Sequence, residues 1–268
     1  MAAASFGAAE AVAVPGSDLA LRLLGQLLGG RVAVVGPGYS GHVAMWRSPV
    51  TVISVDALGE AAATHDVLVL ARPGNPDGTM IARDMLESAA ATLAARGGYL
   101  IVDESFVDAT PEASVAGSGW PGLIVLRSFG KFFGLAGLRL GFVIAPMEIA
   151  ADLRRLLGDW PVSSPAIAVG TAAYADGDWQ AAQRRRLAVA SRRLDALLGD
   201  AGLVVAGGTN CFRLVATPER DALFDHLASA AILTRPFADQ PLRLRFGLPG
   251  NEASWTRLTG ALEHWRQR

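Results

Sequence analysis

The sequence predicts an α/β protein: a mostly parallel sheet with helices on both faces, followed by a small C-terminal α+β domain. Short apolar runs alternate with longer helical patterns through most of the 268 residues. Several runs are continuously apolar, such as Val-Leu-Val-Leu at 67–70, which is typical of strands covered on both faces. Beyond about residue 199 the order of strands and helices changes, which indicates a second domain.

The individual elements follow from these patterns. In the first part of the chain, strands are predicted at residues 11–14, 32–35, 51–54, 67–70, 99–102, 123–126 and 140–144. Helices are predicted there at residues 18–28, 79–95, 147–157 and 178–198. In the second part, strands are predicted at 203–206, 211–215, 232–234 and 242–246, and helices at 219–230 and 252–267. The chain therefore divides into a large domain, 1–198, and a small domain, 199–268.

Composition argues against several classes of protein. The 24 basic and 25 acidic residues give a net charge of -1, which disfavours a general nucleic-acid or anionic-membrane binder.

Cys211 is the only cysteine, so an intramolecular disulfide is excluded. We interpret Cys211 as a buried, inert thiol. The histidines lack metal-ligand spacing, and His42 is interpreted as a helix-surface residue, with a contact to substrate near Tyr39 as the alternative. No apolar stretch approaches the roughly 18 residues needed to span a bilayer, and no basic leader is present, so a soluble, cytoplasmic protein is predicted.

Polar residues follow three of the predicted strands, at the edge where parallel sheets bind ligands. Gly16 and Ser17 open a helix whose N–H groups attract an anion, although an ordinary N-cap explains the same residues. Asn75 lies in the segment 72–78, which a tight turn alone also explains. Asp103 ends an apolar strand, where a carboxylate needs a partner. A pyridine nitrogen, a metal ion or a helix N-terminus would each supply one.

The strongest motif is residues 127–142, Arg-Ser-Phe-Gly-Lys-Phe-Phe-Gly-Leu-Ala-Gly-Leu-Arg-Leu-Gly-Phe. It places Lys131 among aromatic residues and glycines, which predicts a dehydrated amine with a lowered pKa that is free for imine chemistry. Ser128 and Arg139 flank the lysine, and both can bind a phosphate, arginine through two parallel hydrogen bonds. A surface loop with two cations is the alternative, but it explains neither the glycines nor the apolar residues.

This motif resembles the lysine region of fold-type-I pyridoxal-phosphate (PLP) enzymes of the aminotransferase class I/II family. Two further segments, 72–78 and Asp-Glu-Ser-Phe-Val-Asp-Ala-Thr-Pro-Glu at 103–112, resemble the same family. Within it, the three segments together are most similar to the threonine-phosphate decarboxylases of cobalamin biosynthesis, and next to histidinol-phosphate aminotransferases. The resemblance runs over about residues 11–266, with the motifs in the family's order.

The resemblance implies PLP as the cofactor and Lys131 as the residue that forms the Schiff base and later moves protons at the substrate α carbon. It implies a set of cofactor-binding residues: Gly16, Ser17, Tyr39, Asn75, Asp103, Ser128, Lys131 and Arg139. In that set Asp103 pairs with the pyridine nitrogen, Asn75 bonds the phenolic oxygen, and Tyr39 stacks on the ring. Gly16, Ser17, Ser128 and Arg139 hold the phosphate.

The resemblance also implies how substrate is held and how the chain assembles. Arg243 matches the arginine that binds the substrate carboxylate, and Arg245 is the alternative because alternation puts both on one face of a strand. The implied substrate is a small phosphorylated amino acid or amine, and the implied assembly is a homodimer. No metal is implied.

Phe106, three residues after Asp103, marks a departure from many aminotransferases, which carry a tyrosine there; phenylalanine favours the decarboxylase branch. The sequence thus predicts a PLP-dependent carboxy-lyase that converts L-threonine O-3-phosphate to (R)-1-amino-2-propanol phosphate. One alternative is a PLP aminotransferase of the histidinol-phosphate type. The other is a relative with reduced or no activity, because family members carry a further N-terminal segment before the strand that leads to Gly16.

Overall fold

The computed structural model describes residues 1–267, which pack into two compact units. The first unit consists of Met1–Asn75 and Met80–Gln180, and the second consists of Pro76–Thr79 and the described chain from Ala181 onward. The predicted domain boundary after residue 198 stays a prediction. None of the described helices is long and apolar enough to cross a membrane.

The first unit is built on a seven-stranded sheet. Its strands are β1 (Val12–Val14), β2 (Val32–Val35), β3 (Thr51–Ile53), β4 (Val67–Ala71), β5 (Tyr99–Asp103), β6 (Leu123–Ser128) and β7 (Gly141–Ile144). They are ordered β1-β7-β6-β5-β4-β2-β3. Strand β7 is antiparallel to both of its neighbours, and the remaining pairs are parallel. The predicted mostly parallel sheet is confirmed.

Helices cover both faces of this sheet. The helices of the first unit are α1 (Ala2–Ser5), α2 (Ser17–Leu27), α3 (Ser40–Ala44), α4 (Leu58–Thr64), α5 (Arg83–Ala94), α6 (Met147–Leu157) and α7 (Ser164–Ala175). On one face, Val69 and Ile101 share a core cluster with Leu24 of α2 and Leu153 of α6. The alternate residues of the strands, such as Leu100, are also fully buried, because successive side chains point to opposite faces, and α5 packs against β5.

The second unit is an antiparallel α+β arrangement, as predicted for the C-terminal part. Its strands, β8 (Val204–Thr209), β9 (Phe212–Ala216), β10 (Arg235–Phe237) and β11 (Gln240–Gly247), are ordered β10-β11-β9-β8. Helix α8 (Gly177–Asp200) leads into this unit, which also holds α9 (Arg220–Ser229) and α10 (Glu252–Arg266). Leu194 of α8 packs with Val215, Leu244 and Trp255 in one apolar cluster, which explains why this end of the helix belongs to the second unit.

Three sequence predictions are wrong in detail. The strand predicted at 232–234 lies at Arg235–Phe237 instead, because Ala231 turns the chain with a positive φ of 57° and Leu233 is 86% exposed. The helix predicted from residue 79 begins at Arg83, since the Asp77 carboxylate accepts hydrogen bonds from the N–H and hydroxyl of Thr79 in a turn. Cys211, interpreted as buried, is half-buried in the turn between β8 and β9.

A close backbone contact fixes the turn that contains Gly78. The N–H of Gly208 on β8 donates to the carbonyl oxygen of Asp77 at 2.8 Å. A Cβ on Gly78 would lie 1.9 Å from the Gly208 carbonyl oxygen, and Gly78 has a φ of +77°. Only glycine satisfies both constraints, because it has no Cβ and occupies positive φ without strain.

Candidate active site

The carboxyl ends of β4, β5 and β6 open into a cavity of about 350 Å3, a volume within the usual range for small-molecule sites. Asn75 follows β4, whereas Asp103 and Ser128 are the last residues of β5 and β6. Because these strands are adjacent in the sheet, the three side chains converge on one place. All the predicted cofactor-binding residues line this cavity: Gly16, Ser17, Tyr39, Asn75, Asp103, Ser128, Lys131 and Arg139. Their roles toward a ligand stay predictions.

One side of the cavity is suited to an anion. Ser17 begins α2, so the N–H groups at this helix start and its dipole favour a negative charge. Gly16 has a φ of +92°, and a Cβ on it would lie 2.5 Å from Nη2 of Arg139. The guanidinium therefore lies directly against the Gly16 backbone, a position that a side chain there would block. Arg139 is itself left-handed, with a φ of 53°, and donates from Nη1 to the Ala136 carbonyl at 3.1 Å.

The cavity lining also includes a buried carboxylate. Asp103 is 7% exposed; its Oδ2 lies 3.0 Å from Nε2 of His42, and its Oδ1 accepts from the N–H and hydroxyl of Ser105 at 2.9 and 2.5 Å. Burial acts to raise the pKa of Asp103, but the hydrogen bonds and charge of His42 and the hydrogen bonds of Ser105 hold it below its ordinary value. Asp103 is thus kept as an anion that can hold a proton on a cationic partner.

Ser105 is a site residue that the sequence did not reveal, and the sequence indicated His42 only as an alternative substrate contact. The prediction that His42 lies on a helix surface is wrong, because His42 is completely buried in α3. The ring nitrogen Nδ1 of His42 is buried without a hydrogen-bond partner. Nε2 of His42 is therefore the nitrogen that donates to Asp103. No spacing in the sequence links this histidine to Asp103, which lies 61 residues away.

Tyr39 is fixed at the cavity by a second carboxylate. Its hydroxyl donates to Oδ1 of Asp18 at 3.1 Å, and its ring contacts the His42 ring edge-to-face at a centroid distance of 5.5 Å. Burial and the neighbouring Asp18 raise the pKa of Tyr39. Asp18 also pairs with Arg22, one helical turn further along α2, at 3.1 Å. Asp18 is a cavity residue that the sequence suggested only as part of a helix start.

The surroundings of Lys131 differ from the prediction. Its aromatic neighbours Phe132 and Phe133 are buried among other rings, including Trp179, and the lysine side chain itself is exposed. The predicted dehydration of the amine is therefore wrong for this structure, because the flanking rings turn into the core instead of covering the lysine. The aromatic contact that Lys131 does make is with Phe106, whose ring centroid lies 5.6 Å from Nζ.

Lys131 is also the only lysine of the chain, although lysine and arginine together number 24. Arginine stays protonated in proteins and cannot act as an amine nucleophile, whereas lysine can lose its proton. Any reaction that needs a primary side-chain amine is therefore restricted to Lys131. Counting lysines in the sequence would have found this signal.

Arg243 and Arg245 belong to the second unit, on β11. They lie on one face of the strand, as predicted, because Leu244 and Phe246 occupy the other face and are buried in the core of that unit. The Arg245 guanidinium lies over the Phe212 ring at 5.1 Å. Burial, with Arg235 nearby, lowers the pKa of Arg245. The residues that line the cavity described above all belong to the first unit.

Comparison with known proteins places these features in a family. Residues 8–262 match the family described as aminotransferase class I and II. The chain is 43% identical over 264 residues to a threonine-phosphate decarboxylase of Pseudomonas aeruginosa strain PAO1, covering 96% of this chain and 79% of that protein. It is 42% identical over 258 residues to a threonine-phosphate decarboxylase of Sinorhizobium sp, covering 93% and 76%.

A solved structure shows the same fold. The histidinol-phosphate aminotransferase of Sinorhizobium meliloti, determined in complex with pyridoxal-5'-phosphate, aligns with a TM-score of 0.88 at 23% identity and covers 99% of this chain and 79% of that one. With the extended family match, these findings identify the chain as a member of the aminotransferase class I and II family.

Proposed function

We propose that the protein is a PLP-dependent carboxy-lyase that decarboxylates L-threonine O-3-phosphate to (R)-1-amino-2-propanol phosphate. The observation that carries the PLP chemistry is the convergence of the chain's only lysine, an anion cradle and a buried carboxylate on one cavity. The substrate rests on the 43% and 42% identity to two proteins named threonine-phosphate decarboxylase.

The cavity residues fit PLP in charge. PLP carries an anionic phosphate and a pyridine nitrogen on its ring, and the cavity is lined by Arg139, by the start of α2 and by the carboxylate of Asp103. Gly16 keeps the cradle open, since a Cβ there would displace Arg139. Asp103 is buried and held as a carboxylate, the form that keeps a pyridine nitrogen protonated.

The chain's own residues then have distinct tasks in the reaction. When bound, PLP supplies an electron sink for the electron pair that remains at the substrate α carbon after CO2 leaves. Lys131 would hold the cofactor through its aldehyde, would be freed as an amine when the substrate amine takes its place, and would then deliver the proton that replaces CO2 at the substrate α carbon. Asp103 keeps the proton on the ring nitrogen, and Asn75 bonds the phenolic oxygen. Arg139, Ser17 and Ser128 hold the phosphate.

The substrate carboxylate and the assembly complete the proposal. Arg243 or Arg245 binds the carboxylate, since a guanidinium pairs with a carboxylate through two parallel hydrogen bonds. A homodimer and a cytoplasmic location follow the family and belong to the same proposal. Sedimentation velocity of the purified protein tests the dimer, and a monomer throughout the micromolar range would contradict it.

Labelling tests the cofactor assignment. PLP is added to the protein, the imine is reduced with borohydride, and the modified peptide is located by mass spectrometry. We expect the label on Lys131, and Lys131→Ala should lose both the label and the visible absorbance of bound PLP. The N-terminal amine is the only other primary amine, so its peptide serves as an internal control. A label confined to the N-terminus would refute the assignment.

The reaction type is tested by its products. We expect release of one CO2 for each L-threonine O-3-phosphate consumed, and far slower release from L-threonine, which lacks the phosphate. Lys131→Ala should reduce the rate to background. Accumulation of the pyridoxamine form of the cofactor without CO2 would instead identify an aminotransferase.

A further inference from the structure

The first unit buries four charged side chains that the proposed reaction does not use. We call them the buried quartet: Arg72, Glu104, Asp108 and Arg127, which are 7%, 0%, 5% and 3% exposed. Two are cations and two are anions, so the group is balanced in charge. Charged side chains are rarely buried to this degree unless they are paired.

Arg127 links the two acids of the quartet. Its Nη1 lies 3.2 Å from Oε2 of Glu104, and its Nη2 donates to Oδ1 of Asp108. Glu104 also accepts from the Ser114 hydroxyl and from the Val115 N–H, both at 2.6 Å. Together these bonds close the loop 104–115 onto β6. Arg72 adds a fourth charge, and the charge of Glu104 acts on it through space.

Stability alone does not account for such a group. Desolvating four charges is expensive, and apolar residues of similar volume often replace buried ion pairs without loss of stability. Burial raises the pKa of Glu104, against the opposing effects of the Arg127 charge and of the hydrogen bonds from Ser114 and Val115. Nε of Arg127 is buried without a hydrogen-bond partner. The quartet is therefore a costly arrangement whose value lies in fixing geometry.

The positions of the quartet in the chain indicate which geometry that is. Glu104 directly follows Asp103, and Arg127 directly precedes Ser128. Because side chains alternate along a strand, Ser128 faces the cavity while Arg127 lies on the other face of β6. The loop that Glu104 closes also contains Ser105. The N–H and the hydroxyl of Ser105 both donate to Oδ1 of Asp103. A backbone hydrogen bond also connects Arg72 to Asp103, since the N–H of Arg72 donates to the Asp103 carbonyl oxygen at 2.9 Å.

We propose that the buried quartet positions Asp103 and Ser128 for the cofactor, an inference that rests on the proposed function. Arg127 and Glu104 lock β5, β6 and the loop 104–115 into one arrangement, so that the ring-pairing carboxylate and the phosphate-binding hydroxyl keep a fixed separation. The quartet residues are positioning residues, since they act through Asp103, Ser105 and Ser128 and none of them lines the cavity.

The test removes one cation and one anion together. Asp108→Asn with Arg127→Met leaves the net charge unchanged, and Glu104 keeps its bonds from Ser114 and Val115. We expect a ligand-free protein with a cooperative thermal transition, but a PLP dissociation constant raised about tenfold, the usual effect of losing a supporting residue behind a ligand contact. The pH midpoint of the absorbance of bound PLP should also shift, which a purely structural role would not cause.

A matched control and a second variant make the result decisive. Asp195→Asn with Arg213→Met removes the half-exposed ion pair of the second unit by the same two kinds of substitution, and it should leave both PLP readouts unchanged. If the double variant does not fold, Glu104→Gln, which keeps the shape of the side chain, should show the same shifts. Amide hydrogen exchange at 103–106 in ligand-free protein should accelerate in the quartet variants only.

The two proposals fail in different ways. If wild-type protein does not bind PLP at Lys131, the proposed function fails, whatever the quartet variants do. If wild type binds PLP and the folded quartet variants match wild type and the control within twofold in affinity and in pH midpoint, the positioning role is refuted.

Discussion

Asp103 is charged and nearly buried, so each of its hydrogen bonds matters for its state. The partner of Oδ2 is His42, at 3.0 Å, and leaving a buried acceptor without its donor costs about 1–3 kcal/mol. We therefore expect His42→Ala to lower the free energy of unfolding of the ligand-free protein by about that amount and to weaken PLP binding. Urea unfolding and a PLP titration measure the two effects.

His42→Gln supplies the control, because its amide N–H2 can reach the position of Nε2. It should recover a large part of the PLP affinity that His42→Ala loses. Equal behaviour of the two variants would show that the donor to Asp103 is not what His42 contributes.

The lowered pKa of Asp103 also predicts how stability changes with pH. In the folded protein this pKa lies below its ordinary value, so between the two values the unfolded chain binds more protons than the folded one. Stability contributed by Asp103 is therefore present above the ordinary pKa and is lost as the pH falls through the folded value. The difference in unfolding free energy between wild type and Asp103→Asn should shrink on going from pH 6 toward about pH 3. A difference that stays constant over this range would contradict the shift.

At this scale the sequence identified motif residues and missed the residues that support them. Asp103 could be predicted because it ends an apolar strand, where parallel sheets bind ligands, whereas Asn75 and Ser128 were identified through the motifs that contain them. The bonds from Ser105 to Asp103 are local, two residues apart, and a turn begun by an aspartate could have indicated them. His42 could not be predicted, because its hydrogen bond to Asp103 joins residues 61 apart in the chain and is set by tertiary packing. The dehydration predicted for Lys131 failed for the same reason, since the direction of Phe132 and Phe133 is decided by the core.

Among the elements, the turn that contains Gly78 offers a controlled test of backbone packing. Gly78 has a φ of +77° and its missing Cβ would meet the Gly208 carbonyl oxygen at 1.9 Å, whereas Gly97 has a φ of +72° with nothing within 4 Å. Gly97→Ala should cost about 1–2 kcal/mol from its left-handed conformation alone. Gly78→Ala should cost at least about 2 kcal/mol more, because β8 must also move. Denaturant unfolding measures both, and equal costs would show that the close contact is absent in solution.

Some elements were predicted with the observed bounds, and others were not. Strand β2 and helix α6 begin and end where the sequence predicts. Helix α7 was missed because it is apolar on all sides, with an exposed Ile167 and a buried Tyr174, so it shows no one-sided period. Its start signal was present: Ser163 caps the helix by accepting from the Ala166 N–H, and a proline lies in the first turn.

For the whole molecule, the sheet order explains how distant segments form one site. Strands β4, β5 and β6 are sequential neighbours, which a sequence of alternating strands and helices predicts. The inserted antiparallel β7, between β1 and β6, brings Gly16 next to Arg139, because β7 pairs with β1 and Gly141 lies against Ser17. The position of an antiparallel strand within a sheet is set by long-range pairing, which local patterns do not encode.

Because this site draws on segments from across the first unit, its occupancy should stabilise the fold as a whole. A ligand that binds only the folded state at 100 times its dissociation constant adds about 2.7 kcal/mol, which corresponds to a rise in Tm of about 5–10 °C for a chain of this size. We expect PLP to produce a rise of that order in differential scanning fluorimetry. Pyridoxine 5'-phosphate, which uses the anion cradle but has an alcohol in place of the aldehyde, should produce a smaller rise.

In Lys131→Ala the two ligands should become equivalent, because the amine that distinguishes them is gone. A wild-type protein that responds equally to both ligands would show that Lys131 does not react with the aldehyde, and a response to phosphate-free pyridoxal as large as to PLP would show that Gly16, Ser17 and Arg139 do not bind the phosphate.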